Sequence, residues 1–372
     1  YYAIKFLKNK NILSLVSFTL ISAIIVNIRI LGSILPLIII FFYSIIILRN
    51  KEEKLKQFLK IFLFFFIFLT FYFILWPELW TDPINILIKT FNFMKNHFLS
   101  INIFYLGKYY FFSEIPWHYH LVNMFVSLPI VYTCFFLLGF FTVTRRLFTR
   151  LINIDENNTN KDLWRGEKEM LDYIFLILFV SVLFTAIDTG KISYNGWRHL
   201  YFIYPCFILI SIQGLFVLQK NKLFKKKIKY LHYFVFLAMI PTIFWMYKNH
   251  PYQSLYFNFV FKNNYKNYFE VDYWGLTNKD ALKIILKQKD ELASIYIVST
   301  SDLSLSKRII DKKERSRIKI VGKIEDAKYI INHFYNWRSK ESWQNYNPPS
   351  NFKLLKEIKI NNVSINSIYK RQ

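Results

Sequence analysis

Apolar residues crowd the first two thirds of the chain in long stretches, and a hydrocarbon core about 30 Å thick needs about 20 such residues to be crossed by a helix. Seven stretches meet that pattern: Ile12 to Ile28, Ile30 to Leu48, Ile61 to Pro77, Leu121 to Val143, Leu171 to Ile187, Leu200 to Leu218 and Tyr230 to Tyr247. Only Arg29 separates the first two, so they read as a short helical hairpin, with Asn27, Gly32 and Pro36 loosening the turn. After Tyr247 the pattern changes to alternating helical and strand periods. Helices are predicted over Thr277 to Leu292 and Asp302 to Lys313, and strands over Ser294 to Ser299, Arg317 to Val321 and Lys328 to Asn332. Phe352 to Ile360 and Val363 to Lys370, joined at Asn361-Asn362, predict a closing β-hairpin. The fold class is therefore an α-helical multi-pass membrane domain, residues 1–248, followed by a small α/β domain, residues 249–372.

The polar positions between the stretches set the orientation, because short cytoplasmic loops collect Lys and Arg. Lys5, Lys8 and Lys10 precede the first stretch, and Arg49, Lys51, Lys54 and Lys56 follow the second. Arg145, Arg146 and Arg150 follow the fourth; Lys220, Lys222, Lys225, Lys226, Lys227 and Lys229 follow the sixth. Seven crossings put all four groups on one side, which makes the N-terminal segment cytoplasmic and everything after Tyr247 extracytoplasmic. The outer loop 77–120 carries Asp82-Pro83 and then Ile84, Leu87, Ile88, Phe91, Met94 and Phe98 at helical spacing. That is an amphipathic interfacial helix with Asp82 as its N-cap and Pro83 in its first turn.

Composition alters this picture only at the charge. The 372 residues carry 49 Lys+Arg against 24 Asp+Glu, a net charge of +25, with 54% hydrophobic residues. A charge of that size on a soluble face would suggest nucleic acid. Here its densest part lies in short loops between apolar stretches, and part reflects an AT-rich coding bias toward Lys, Asn, Ile, Phe and Tyr, so nucleic acid is not the partner. Cys134 and Cys206 both fall inside apolar stretches, which argues against a disulfide framework or thiolate metal site. No Gly-rich phosphate loop, serine nucleophile elbow or His-Glu-x-x-His is present.

Ionisable residues at membrane depth are costly and are the first candidates for function. Tyr194-Asn195-Gly196-Trp197-Arg198-His199 leads directly into the sixth stretch and sets Arg198 and His199 at its outer mouth. An Arg there can fork onto phosphate oxygens and a His can add a donor; the alternative is an Arg snorkelling to headgroups beside the interfacial Trp197. Asp188, just beyond the fifth stretch, is a candidate base or metal ligand, or a partner for Arg198. Arg29 faces the same side and either reaches the same cavity or snorkels. Glu78 and Asp82, with the His118-x-His120 pair, could hold a divalent cation at a phosphate, or be polar neighbours of interfacial aromatics. The segments His250 to Gln253 and Glu270 to Gly275 either close over a substrate or dock the tail.

Several of these motifs, taken in order, resemble a known family. Trp76-Pro77-Glu78-Leu79-Trp80-Thr81-Asp82-Pro83, Tyr105-Leu106-Gly107, Pro116-Trp117-His118-Tyr119, Gly196 to Pro205, His250-Pro251-Tyr252-Gln253 and Asp272-Tyr273-Trp274-Gly275 are similar to segments of bacterial family 39-type membrane glycosyltransferases of the C-fold class. That group includes protein O-mannosyltransferases and lipid A aminoarabinose transferases. The resemblance implies a plasma-membrane enzyme that takes a sugar from a polyprenyl-phosphate carrier and places it on a lipid, glycan or protein acceptor outside. For such a reaction the candidates read from the residues are Arg198, His199 and Arg29 at the donor phosphate, and Tyr194, Trp197, Glu78, Asp82, His118 and Asp188 as substrate contacts. The family's catalytic carboxylate lies in its first outer loop, and no residue here matches it. The chain opens at Tyr1 on what resembles a later cytoplasmic loop, so that acid is expected in sequence N-terminal to Tyr1. The rival readings are a transporter or lipid-handling protein, or a scaffold with a partner-binding tail; clustering of charge at the outer lip and the lack of an internal repeat disfavour transport.

Overall fold

The computed structural model describes residues 1–9, 11–49, 54–96, 101–153, 163–189, 194–220, 228–335 and 346–372. Lys10, Lys51, Phe98, residues 190–193 of the second outer segment, and Lys222, Lys225, Lys226 and Lys227 lie outside the described residues. The chain divides into two compact units, each discontinuous in sequence. One comprises Tyr1–Phe98, Tyr132–Asp188 and Leu200–Ile228; the other comprises Leu99–Val131, Thr189–His199 and Lys229–Gln372. The segment 249–372 thus groups with Leu99–Val131, Thr189–His199 and the last long helix.

The first unit holds α1 (Tyr2–Asn9), α2 (Ile12–Ile28), α3 (Ile34–Arg49), α4 (Lys54–Leu75), α5 (Pro83–Asn96), α7 (Ile130–Ile152) from Tyr132 onward, α8 (Gly166–Thr189) and α9 (Tyr204–Lys220). Among the described residues, six helical stretches are long and apolar enough to cross a membrane: Ile30–Arg49, Lys54–Leu75, Ile130–Ile152, Gly166–Asp188, Arg198–Lys220 and Lys229–Lys248. The chain is a multi-pass helical membrane protein. The first of the seven expected stretches forms as α2, an apolar helix of 17 residues and shorter than those six, about 26 Å long at 1.5 Å per residue. It ends where Arg29 turns extended (φ −157°, ψ 124°), and a side chain at Gly32 would collide with Ile25. After the short turn Ile30–Ser33 the chain continues as α3.

A correction falls on the fourth stretch. Leu121 to Val143 is not one helix: α6 (Tyr119–Ser127) stops, Leu128 goes extended (φ −105°, ψ 151°), and α7 (Ile130–Ile152) restarts after Pro129. Proline has no N–H for the ladder and forces its predecessor out of the helical region, so the apolar run is cut where it cannot be seen from hydropathy. In the first unit Phe136 of α7 packs on Phe179 of α8 (Gly166–Thr189) at 5.0 Å and stacks on Phe207 of α9 (Tyr204–Lys220) at 4.2 Å between ring centroids. A Cβ on Gly139 would sit 1.9 Å from the Ile210 carbonyl oxygen and one on Gly214 2.0 Å from that of Phe135, so α7 and α9 touch backbone to backbone. Arg146 pairs with Asp172 at 2.5 Å and with Glu169 at 3.3 Å, so part of that basic cluster is neutralised within the fold. Pro83–Asn96 forms the expected amphipathic helix: Asp82 accepts from the Asn85 backbone N–H at 3.4 Å, and Ile84, Leu87, Ile88 and Phe91 are exposed.

The second unit is built on two sheets. A hairpin the periodicity did not signal, β1 (Asn102–Tyr105) with β2 (Lys108–Phe111), turns on Leu106 and Gly107, both with positive φ (49° and 81°). After α10 (Ile228–Lys248) come α11 (Asn278–Leu286), β3 (Ala293–Ile297), α12 (Leu303–Arg308), α13 (Lys312–Arg315), β4 (Ile318–Ile320), β5 (Tyr329–Asn332), β6 (Phe352–Ile360) and β7 (Val363–Arg371). The strand order is β4-β3-β5-β7-β6, with β3 parallel to β4 and β5 and the rest antiparallel. The closing hairpin turns at Asn361-Asn362, both left-handed (φ 51° and 65°), as its sequence predicts. The two tail helices are shorter than their patterns. The apolar face Ala281, Leu282, Ile285, Leu286 ends before the polar run Lys287 to Glu291, and Asp311 breaks the second. An aromatic core joins the β1 hairpin, α6, the end of α10 and the sheet through Tyr105, Tyr119, Trp245, Tyr265 and Phe269.

Candidate functional site

The second unit builds a polar site around the segment 194–199. Asn195 and Gly196 both take positive φ (52° and 69°), a double left-handed bend that sends the following Trp197 inward and leaves Arg198 outward. Two bonds fix the bend to α6: the Gly196 N–H donates to the Tyr119 hydroxyl at 2.9 Å, and Trp197 Nε1 donates to Ser127 Oγ at 2.7 Å. Trp197 is buried, so it anchors the loop.

Arg198 is half-buried in a box of rings: its guanidinium carbon lies 5.0 Å from the Tyr194 centroid, 5.5 Å from Tyr273 and 4.9 Å from Trp274. Each such contact is worth on the order of 0.5–2 kcal/mol, depending on desolvation. Arg198 Nε donates to His199 Nε2 at 3.1 Å, and the His199 ring packs 4.5 Å from Tyr194. The Asn195 amide satisfies its neighbours when its nitrogen donates to the Tyr335 hydroxyl at 2.7 Å and its oxygen accepts from both terminal guanidinium nitrogens at 3.2 Å. A guanidinium has five N–H groups. One goes to His199 and two to Asn195, which leaves one on each terminal nitrogen. Among the described residues no carboxylate lies within ion-pair distance of Arg198.

Glu270 lies in the same cluster and its carboxyl accepts the backbone N–H groups of Phe104 and Asn195. Burial pushes it up to about 8, against the pull of those two N–H groups and of Arg198. Its Oε2 is enclosed and has no hydrogen-bond partner among the described residues. Its charge in turn raises Tyr119 and Tyr335, both already raised by burial. His120 is also buried and is pushed down to about 4, first by burial and then by His199. The aromatic members are positioned by the tail. Asp272, at φ 43°, accepts the N–H groups of Leu276 at 2.7 Å and Thr277 at 3.0 Å and so fixes the turn that presents Tyr273 and Trp274. Tyr335 follows β5, beside the strand β3 where the chain's crossovers reverse direction. In open parallel sheets that edge is where ligands bind.

Of the residues singled out by sequence, Arg198, His199, Tyr194 and Trp197 come together here. His118 is in the same unit, where its Nδ1 meets the Tyr105 hydroxyl at 2.7 Å. Glu78, Asp82, Arg29 and Asp188 belong to the other unit. There Glu78 accepts from Trp76 Nε1 at 3.3 Å, Asp82 caps α5, Arg29 caps α2, and Asp188 sits exposed at the end of α8. Asp82 is thus engaged as a helix cap. Among the described residues no three His, Cys, Asp or Glu side chains gather as a metal site. The sequence singled out the segment Glu270 to Gly275 but gave the Glu270 carboxyl no role of its own; it lies between buried Phe269 and Val271. No family model, curated protein or solved structure matches the chain.

Proposed function

We propose that the chain is an integral-membrane glycosyltransferase that moves a sugar from a polyprenyl-phosphate donor to a lipid, glycan or protein acceptor on the extracytoplasmic side. The observation that carries this reading is Arg198, a guanidinium held rigid by three rings and Asn195, with two N–H groups uncommitted and no carboxylate paired to it among the described residues. Those two N–H groups suit two oxygens of one phosphate. The acceptor oxygen would bond to the anomeric carbon as the bond from that carbon to the phosphate oxygen breaks, its electron pair passing to the phosphate. The acceptor proton would go to a carboxylate, and a single displacement would invert the anomeric centre. A preorganised Arg stabilises the charge that grows on the leaving phosphate.

Ring edges and Glu270 complete the reading. Trp274 is 60% exposed, so the ring face away from Arg198 is open to stack on a sugar. Glu270, whose carboxyl feels the Arg198 charge, would hold its proton more tightly once a phosphate takes Arg198. The reading carries with it seven crossings with α2 as the first, a cytoplasmic N-terminal segment, and an extracytoplasmic tail in a plasma membrane. The phosphate site is tested with farnesyl phosphate, a short soluble prenyl phosphate, titrated into the full-length protein. Binding is expected, with farnesol not competing and Arg198→Ala abolishing it; equal binding of farnesol, or retained binding by Arg198→Ala, would overturn the assignment.

A further inference from the structure

The second unit also holds a cavity of about 200 Å³ between α10, the start of α7 and the segment 256–262. On α10 it is lined by Ala238, Pro241, Thr242 and Trp245, spaced so that all fall on one stripe. Its composition is graded. Along α10, Ala238 and Pro241 are apolar and Thr242, whose hydroxyl lies 3.2 Å from that of Tyr256, is polar; Ile130 and Val131 add apolar lining and Lys262 a charged group. The grade follows the helix. Trp245 and Thr242 lie within two turns of the end of α10 at Lys248, while Ala238 lies about 15 Å in from that end at 1.5 Å per residue, roughly half the hydrocarbon thickness.

The surroundings are those of a membrane face. Phe234, Leu237, Ile240 and Phe244 of α10 are exposed, as is Phe259, which itself lines the cavity. Lys262 is exposed and makes no ion pair with any described residue. The volume falls below the roughly 300–1,000 Å³ of small-molecule sites, which favours one narrow chain over a compact ligand.

We infer that this cavity seats one acyl chain of an anionic phospholipid from the outer leaflet, with its phosphate drawn to Lys262. The apolar end takes the chain toward the middle of the bilayer, and the hydroxyl pair and ammonium lie at headgroup level. The inference does not depend on sugar transfer. Full-length protein in mixed micelles is titrated with phosphatidylglycerol or phosphatidylcholine, and bound lipid is counted by native mass spectrometry. One Lys near a headgroup predicts a preference for phosphatidylglycerol of about fivefold. Lys262→Glu should erase that preference, and Ala238→Phe should reduce binding of both lipids. Equal binding of the two lipids by wild type, or an undiminished preference in Lys262→Glu, would overturn the inference, and the second comparison decides it even if Ala238→Phe does not fold. Displacement of the lipid by farnesyl phosphate at equal concentration would also overturn it, by making the cavity part of the donor site. Arg198→Ala should keep the preference while losing prenyl phosphate, which separates failure of this inference from failure of the enzymatic reading.

Discussion

At the scale of single residues, Arg198 and Glu270 divide one task. Arg198 is fixed by aromatic faces that cannot neutralise it, whereas Glu270 is close enough to feel its charge but is held by backbone N–H groups instead. Lysine cannot reproduce the planar fork that Asn195 and the rings grip. Arg198→Lys is therefore expected to weaken farnesyl phosphate binding by at least about tenfold, the factor that the loss of one charge-assisted hydrogen bond of about 1.5 kcal/mol gives. The Glu270 carboxyl rises from its ordinary 4.5 to about 8 in the folded chain. Between those values the folded state binds a proton that the unfolded state releases, so its contribution to stability is present below about 4.5 and is lost as pH rises through about 8. Unfolding midpoints of wild type and Glu270→Gln, compared from pH 5 to pH 8.5, should diverge in favour of the variant as pH rises. Parallel curves would show that Glu270 is not held protonated.

Elements show where the pattern along the chain was sufficient and where it was not. Helices that bury apolar faces and strands that alternate were legible, down to the left-handed Asn361-Asn362 turn, because one local signal specified each. The break at Pro129 lay hidden in a run whose hydropathy is continuous, since a single missing N–H outweighs apolar neighbours. The hairpin β1–β2 was missed because its strands are four residues each and Leu106 is a poor advertisement for a left-handed turn. Arg198 and Tyr194 were legible as neighbours in sequence. Glu270, Tyr273, Trp274 and Tyr335 join them only through the fold of the second unit. The contact of α7 with α9 gives an element-scale test. Gly139→Leu places a side chain where a carbonyl already lies and should cost about 1–3 kcal/mol. Gly322→Ala, with open space around it, should be neutral. Unfolding midpoints in detergent compare the two, and a neutral Gly139→Leu would contradict the close crossing.

For the molecule as a whole, six long apolar helices among the described residues, with lysines gathered in the sequence between them, are the signature of a polytopic membrane protein and account for much of the net charge of +25. The proposed orientation has a direct check. In a Cys134→Ser, Cys206→Ser background, Ser350→Cys should react with an impermeant maleimide in intact spheroplasts, and Lys220→Cys only after lysis. The reverse pattern would invert the topology and remove the extracytoplasmic reaction. The enzymatic claim is tested most directly by incubating membranes containing the full-length protein with a radiolabelled polyprenyl-phosphate sugar and following label into the acceptor fraction. The expected result is transfer by wild type that falls by roughly 10²–10³-fold in Arg198→Ala, the range for removing a preorganised donor from a site of growing negative charge. Transfer undiminished in Arg198→Ala, or no transfer by wild type from any such donor, would contradict the account.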